Sequence, residues 1–311
     1  MASDVVILVG VDGSDESFGA VEWALARAQR TGARVHLVCA YSLPSFTAAA
    51  LDGGYAAVDD AAIRQGAQAV LDTAMKRAEG RGIEVTSSLE AGDPAGVLVD
   101  LSAHVDLLVV GTRGGGGFAG RLLGTVSLAV PAHAHCPTVV VPRHTGGTAF
   151  TPVERIVVGV DGSDSARNAL NWALGERRLW DAELTAVAAV PFASGAGALA
   201  WLPAAVDRDI VISDVRAGLE RAVNEAIKPE DDGKVAYHAL DGNAAELMVE
   251  FSTAVDLVIV GSRGRGGFSG LLLGSTSQAV LAHASCPVMV VPSRCREEEP
   301  RGRMTQPWGR R

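Results

Sequence analysis

Residues 105–125 read Val-Asp-Leu-Leu-Val-Val-Gly-Thr-Arg-Gly-Gly-Gly-Gly-Phe-Ala-Gly-Arg-Leu-Leu-Gly-Thr, and residues 255–275 read Val-Asp-Leu-Val-Ile-Val-Gly-Ser-Arg-Gly-Arg-Gly-Gly-Phe-Ser-Gly-Leu-Leu-Leu-Gly-Ser. Each is an apolar run closed by glycine, then two residues, a glycine, nine residues, and a glycine followed by Thr or Ser. The repetition continues outward. Val6-Ile-Leu-Val-Gly-Val-Asp-Gly-Ser-Asp15 is answered by Ile156-Val-Val-Gly-Val-Asp-Gly-Ser-Asp164, Trp23-Ala-Leu by Trp172-Ala-Leu, and His133-Ala-His-Cys-Pro137 by His283-Ala-Ser-Cys-Pro287. The offset is 149 residues from Asp12 to Asp161 and 150 from Gly111 to Gly261. A period this long marks a duplicated domain rather than a solenoid unit. The reading places one domain at 1–143 and a second at 153–293, joined through the polar, glycine-rich stretch His144-Thr-Gly-Gly-Thr148.

Composition agrees. The 311 residues give each copy room for its own core, and 48% hydrophobic residues suit a globular chain. No apolar run reaches the roughly 20 residues of a membrane span. Met1 to Val11 carries Asp4 and no basic region, so it does not read as a signal peptide. Cys39, Cys136, Cys286 and Cys295 lack CxxC spacing, against a zinc site or redox pair, and a reducing cytoplasmic setting is expected. A net charge of −9 opposes general nucleic-acid binding, which needs a basic face. Ser293 to Arg311, rich in Arg and Glu with Pro and Gly, reads as a disordered tail over 294–311.

Within one copy, strand and helix alternate. Val5–Val11 is a doubly covered strand. Ser14 or Asp15 caps a helix through about Arg30. A strand over Val35–Ala40, a helix over Asp60–Glu79, a strand over Ile83–Leu89, a helix from Pro94, and strands at Leu107–Val110 and Thr138–Val141 follow, with a helix between the last two. Such alternation implies a parallel sheet with helices on both faces. The long segments 42–59 and 191–207 differ most between copies and read as loops over a site.

The chemistry lies in the glycine loop. Glycines allow close approach of a ligand to the backbone, and successive N–H groups form an anion nest. Gly124-Thr125 and Gly274-Ser275 open helices whose N-termini add unpaired N–H groups and positive dipole. Arg113 and Arg263 offer charge-assisted bonds. The plainer alternative is a glycine loop in which Thr125 and Ser275 act as N-caps. There is no GxxxxGK[ST], and the Gly115, Gly117, Gly120 pattern fails in the second copy at Ser269, which argues against P-loop and dinucleotide sites.

These motifs resemble the ATP-binding class of universal stress proteins, most closely the tandem actinobacterial members, over nearly all of 4–143 and 153–293. The resemblance implies an α/β fold of two tandem Rossmann-like (adenine nucleotide alpha-hydrolase-like) domains, each a five-stranded parallel sheet of order 3-2-1-4-5. It places Gly10, Asp12, Ala40, Gly111, Thr112, Arg113, Gly114, Gly115, Gly116, Gly117, Gly124, Thr125, Val126 and Ser127 around one ATP. In the second copy it places Gly159, Asp161, Ala189, Gly261, Ser262, Arg263, Gly264, Arg265, Gly266, Gly267, Gly274, Ser275, Thr276 and Ser277 around another. Asp12 and Asp161 would lie near ribose, phosphates or a bound magnesium; as Asp-Gly pairs they also suit strand-end turns. His133, His135 and His283 read as helix-terminating, Cys136 and Cys286 as buried, and Trp23 and Trp172 as core-facing. Pro131, where copy two has Leu281, is expected to kink its helix.

The function implied is an ATP-dependent sensor or regulator of the stress or dormancy response, read by an unidentified protein partner. The alternatives are a slow ATPase or nucleotide-transferring enzyme, for which no clear general base stands out, and a nucleotide-free interaction module, which the two intact loops oppose. The fifth strands Thr138–Val141 and Val288–Val291 are apolar and lie at sheet edges, which invite a partner strand, and the resemblance implies that they pair between domains and, in a homodimer, between chains.

Overall fold

The computed structural model describes residues 5–42, 60–114, 123–143, 150–192, 207–231, 233–265 and 272–293. The linker 144–149, most of the two long loop segments, and the tail 294–311 therefore lie outside the described residues.

The first half runs β1 (Val6–Gly10), α1 (Asp15–Thr31), β2 (Arg34–Tyr41), α2 (Asp60–Ala78), β3 (Val85–Ala91), α3 (Pro94–Ser102), β4 (Leu107–Gly111), α4 (Thr125–His133) and β5 (Thr138–Val141). The second repeats it as β6 (Arg155–Gly159), α5 (Asp164–Trp180), β7 (Glu183–Val190), α6 (Arg208–Ala226), β8 (Val235–Asp241), α7 (Ala244–Phe251), β9 (Leu257–Gly261), α8 (Ser275–His283) and β10 (Val288–Val291), with a short 3-10 turn at Pro229–Asp231. The strands form one sheet of ten, in the order β3-β2-β1-β4-β5-β10-β9-β6-β7-β8. Each half is thus 3-2-1-4-5 and parallel throughout. Among the described residues the one antiparallel pair is β5 with β10, Val139 opposite Met289, which fuses the halves.

Side chains alternate across each strand, so the sheet has two cores. Ile7, Val9, Val35, Leu37, Leu107 and Val109 face α1 and α2, and their counterparts face α5 and α6. Val6, Leu8, Val38, Leu108 and Val110 face the other way, toward Leu98 of α3 and Val130 of α4. A strand buried on both faces has no polar positions, which is why β1, β4, β9 and, after the exposed Arg155, β6 are unbroken apolar runs. The outer strands β3 and β8 mix exposed and half-buried residues instead, as edges do. β3 begins at Val85, two residues later than the expected Ile83; Glu84 already pairs, its carbonyl accepting from Val35 N–H at 3.0 Å.

Helix ends follow local rules. Ser14 caps α1 by accepting from Ser17 N–H at 3.1 Å, and Ser163 caps α5 from Ala166 N–H at 3.2 Å. Gly32 ends α1 with φ +68°, and Asp181 holds the same left-handed turn after α5 at φ +56°. Pro131 lies in the last turn of α4. That helix nonetheless matches α8 in length, and both close with the same bond, Ala134 to Val130 O and Ala284 to Val280 O, each 2.8 Å. Only the hydrogen bond to the Ser127 carbonyl is forgone.

The halves also meet through α1 and α5. Arg27 and Glu176, both nearly buried, pair at 2.6 Å, and Trp180 Nε1 donates to the same carboxylate at 3.0 Å. The rings of Trp23 and Trp180 lie 6.5 Å apart, and Arg30 sits 4.8 Å over Trp180. Trp23 is fully in the core, as expected, while Trp172 is partly buried against it.

Candidate functional site

The sheet order reverses between β1 and β4, because the chain leaves β1 to one side and returns on the other. Crossover loops diverge there and leave a crevice beyond the strand ends. In the first half this crevice is a cleft of about 370 Å³. Gly10, Val11 and Asp12 bring the end of β1 to it, Val38 and Ala40 the end of β2, and Val110 through Gly114 the end of β4. Leu123 through Ser127 close the far side with the start of α4, and Pro94 and Leu98 of α3 form an apolar wall.

The start of α4 is built to leave N–H groups open. Its N-cap is Gly124, with extended backbone (φ −77°, ψ 164°) and no side-chain cap; Gly274 does the same for α8. Thr125 and Ser275 are therefore the first helical residues, and the plain N-cap role expected as an alternative for them does not occur. Ser127 Oγ donates to Thr112 O at 2.7 Å and Gly124 N–H to the same carbonyl at 2.8 Å, which fastens the helix start to the strand end. In the second half Ser277 Oγ donates to Gly261 O at 2.6 Å and Gly274 N–H to Ser262 O at 2.7 Å. An uncapped helix start leaves its first N–H groups for an outside acceptor, the arrangement by which helix N-termini in general take anions.

Asp12 and Asp161 hold the strand-end turns. Asp12 Oδ1 accepts from Ser14 N–H at 3.0 Å and Ser14 O–H at 2.6 Å; Asp161 Oδ1 accepts from Ser163 N–H at 3.0 Å, and its Oδ2 accepts from Arg265 N–H at 2.8 Å. Each carboxylate also crowds its loop: a Cβ on Gly114 would stand 2.1 Å from Asp12 Oδ2, and one on Gly264 2.4 Å from Asp161 Oδ2. The turn role is real, and it aims the carboxylate at the loop. Among the described residues no three His, Cys, Asp or Glu side chains gather to hold a metal. A magnesium here would rest on one carboxylate and the phosphates, the usual arrangement for that ion.

The structure thus brings together Gly10, Asp12, Ala40, Gly111, Thr112, Arg113, Gly114, Gly124, Thr125, Val126 and Ser127 in one cleft. In the second half Gly159 and Asp161 end β6 and enter its turn, Ala189 lies near the end of β7, Gly261 closes β9, Ser262 through Arg265 follow it, and Gly274 through Thr276 lead α8. Gly115, Gly116, Gly117, Gly266 and Gly267 lie outside the described residues. Sequence reasoning missed Ser17, whose Oγ accepts from Asp12 N–H at 3.4 Å, Glu16, whose carboxylate lies 3.8 Å from Arg113 Nε, and the wall residue Leu98. The first two follow directly on the quoted motif in the opening turn of α1, and a helical projection from the Ser14 cap would have found them.

Cys39, Cys136 and Cys286 are buried and free of disulfides. Burial, then the Asp12 charge, pushes Cys39 up to about 11; burial pushes Cys286 up to about 12. His133 and His283 stand in the last turns of α4 and α8, as read from the sequence. Among the described residues no helix is long and apolar enough to cross a membrane.

Residues 6–142 and 152–292 each match the model of the universal stress protein family. The universal stress proteins Rv1996 and Rv2623 of Mycobacterium tuberculosis are 32% and 31% identical to this chain, over 91% and 93% of its length and 94% and 96% of theirs. The crystal structure of a universal stress protein from Archaeoglobus fulgidus superposes with a TM-score of 0.67 at 21% identity, covering 93% of this chain and 97% of that one.

Proposed function

The chain belongs to the universal stress protein family, and from that premise we propose that it is an ATP-binding regulator of the stress or dormancy response. It holds one ATP, with magnesium, in each of two domains at 1–143 and 153–293, and works in the cytoplasm. The observation that carries the reading is the start of α4: an uncapped helix N-terminus, fastened to the end of β4, facing a cleft that also holds Asp12 and Arg113. Phosphates would take the N–H groups of Arg113, Gly114 and Thr125–Ser127 with the Arg113 guanidinium, the Thr112 N–H being held by the Val141 carbonyl at 3.0 Å. Adenine would lie between Ala40 of β2 and the apolar wall of Pro94 and Leu98. Bound nucleotide stabilises the closed arrangement of loop and helix through linkage, and a partner protein reads that state. In this chain β5 and β10 are spent on one another. A homodimer made through edge strands therefore has β3 and β8 to use.

The test begins with the purified protein, denatured and its released nucleotide identified by chromatography. Replacing Gly111 by alanine is a poor control, since the new Cβ would stand 2.6 Å from the Glu16 backbone. Ala40→Phe with Ala189→Phe fills the adenine end instead, at half-buried positions. ATP in both halves of the wild type, lost in the double variant with its fold intact by circular dichroism, is the expected result. Saturating MgATP at a hundred times Kd stabilises the wild type by about 2.7 kcal/mol. No released nucleotide and no thermal shift with MgATP ends the proposal; ADP in place of ATP makes hydrolysis the next question.

A further inference from the structure

The two clefts share a backbone but not a charge. In the first half Glu16 stands in the opening turn of α1, its side chain only 10% exposed, 3.8 Å from Arg113 Nε. Its place is fixed by contact with the strand end, since a Cβ on Gly111 would lie 2.6 Å from the Glu16 carbonyl carbon. Ser165 occupies the same place in α5, where a Cβ on Gly261 would lie 2.8 Å from its carbonyl carbon. With no carboxylate there, Arg263 Nη2 donates to Ser293 Oγ at 3.0 Å, a neutral partner that a phosphate displaces readily.

The second difference lies in the loop. Where the first half has Gly115, the second has Arg265. Its N–H is tied to Asp161, and its guanidinium carbon lies 3.1 Å from where a Cβ on Gly162 would stand, at the mouth of the second cleft. Arg265 is exposed, and among the described residues no carboxylate lies within ion-pair distance of its side chain. Around the end of β1 and the start of the loop after β4, the first half thus has two carboxylates and one guanidinium (Asp12, Glu16, Arg113) among the described residues, and the matching positions of the second half have one carboxylate and two guanidiniums (Asp161, Arg263, Arg265). The first half's own extra arginine, Arg121, falls later in the loop and outside the described residues.

We infer that the two sites are unequal: the second is selective for a long phosphate chain, gripped by Arg265 and Arg263, while the first, whose Arg113 is shared with Glu16, binds more weakly and distinguishes phosphate number less. The inference rests on the reading that both clefts take adenine nucleotide. A guanidinium stays charged at any physiological pH and grips phosphate through paired N–H groups, so the second site gains most from added phosphates. Its binding also falls more steeply with salt, because exposed charges are screened.

Calorimetric titration of the nucleotide-stripped full chain with ATP and with AMP, at low and at physiological ionic strength, tests this. The ATP isotherm should resolve into two classes, and the AMP isotherm should bring them closer together. Arg265→Gly, which installs the first half's residue, should weaken the tight ATP class about tenfold, the worth of one charge-assisted bond, and barely move AMP. Glu16→Ser should tighten the weak ATP class, and Arg121→Gly should leave the tight class in place. A single class in the wild type, equal losses for ATP and AMP in Arg265→Gly, or loss of the tight class in Arg121→Gly would overturn the inequality with nucleotide binding intact. Failure to bind either nucleotide would instead remove the function itself, and the inference with it.

Discussion

Arg27 and Glu176 occupy one position in the two halves, 149 residues apart, and they face each other across the centre of the molecule. Two copies of the first half in this arrangement would bury arginine against arginine; two copies of the second would bury glutamate against glutamate. Duplication within one chain lets a position near the pseudo-two-fold axis diverge into a complementary pair. Arg30 and Leu179 repeat the pattern one turn on, Arg30 Nη1 donating to the Leu179 carbonyl at 3.3 Å. The halves have therefore become partners for each other rather than for themselves, and the same drift that separates their charges at the contact separates them at the clefts.

The comparison is most exposed at that ion pair. Arg27→Ala leaves a buried carboxylate with only the Trp180 indole, and should lower stability by about 3–5 kcal/mol. Arg27→Glu should do worse, and the exchange of both residues, Arg27→Glu with Glu176→Arg, should recover most of the loss. Denaturant melts of the three variants decide it. If the exchanged pair is no better than the worse single variant, the two residues are not acting as a pair, and the charge-matching argument fails.

A smaller asymmetry is a histidine present in one half only. His36 lies in the middle of β2, with Nδ1 2.7 Å from Thr86 Oγ1 and Nε2 3.0 Å from Ser88 Oγ, where β7 has Thr185. Burial lowers its pKa from 6.5 to about 4. The folded state thus binds the proton less readily than the unfolded chain. Its contribution is fully present above pH 6.5 and is lost as pH falls toward 4, up to about 3 kcal/mol over that window. His36→Thr, the second half's residue, should flatten the fall in stability between pH 6.5 and 4. Parallel curves for wild type and variant would show that the ring is protonated at little cost, and that the halves do not differ in acid sensitivity on its account.

How much of this was legible follows from which interactions are local. The apolar runs of β1 and β4 and the cap of α1, read as Ser14 or Asp15, depend on neighbours in sequence and were legible there; the cap at Ser163 repeats that of Ser14 in the second copy of the motif. So was the loop's closure onto a helix start, because the glycine spacing repeats. The sheet order came only through resemblance, since nothing in a strand's own residues says which strand it will lie beside. Pairing of β5 with β10 was expected through the resemblance, their apolar edges only inviting some partner strand, and that it would consume both edges was not foreseen. Leu98 was invisible as a cleft wall because α3 reaches the end of β1 only through the fold, where a Cβ on Gly10 would meet Leu98 Cδ1 at 2.9 Å. Glu16 was hidden for a different reason: a repeat shows what the copies share, and Glu16 matters by differing from Ser165; Arg265 was read as part of its loop, but its contrast with Gly115 was not drawn.

The finest difference lies at the caps. Both Ser14 and Ser163 accept from the third N–H of their helices. Ser14 O–H, however, also reaches Asp12 Oδ1 at 2.6 Å and the Arg113 carbonyl at 3.1 Å, whereas Ser163 O–H has only the Arg263 carbonyl at 3.4 Å. One hydroxyl proton serves one acceptor at a time, and the shorter contact to a charged oxygen is the stronger. Ser14 thus ties the helix cap to the strand-end aspartate, with the loop after β4 as its alternative acceptor, while Ser163 is mainly a cap. Ser163→Ala should cost about 1 kcal/mol, the ordinary loss of an N-cap. Ser14→Ala should cost more by several tenths of a kcal/mol, and should also loosen nucleotide in the first cleft because Asp12 is freed to turn away from Gly114. Paired thermal melts, each with and without MgATP, separate the two effects. Equal costs in the absence of ligand would mean that the bond to Asp12 adds nothing to the cap, and the first cleft would then owe its shape to the backbone alone, as the second does.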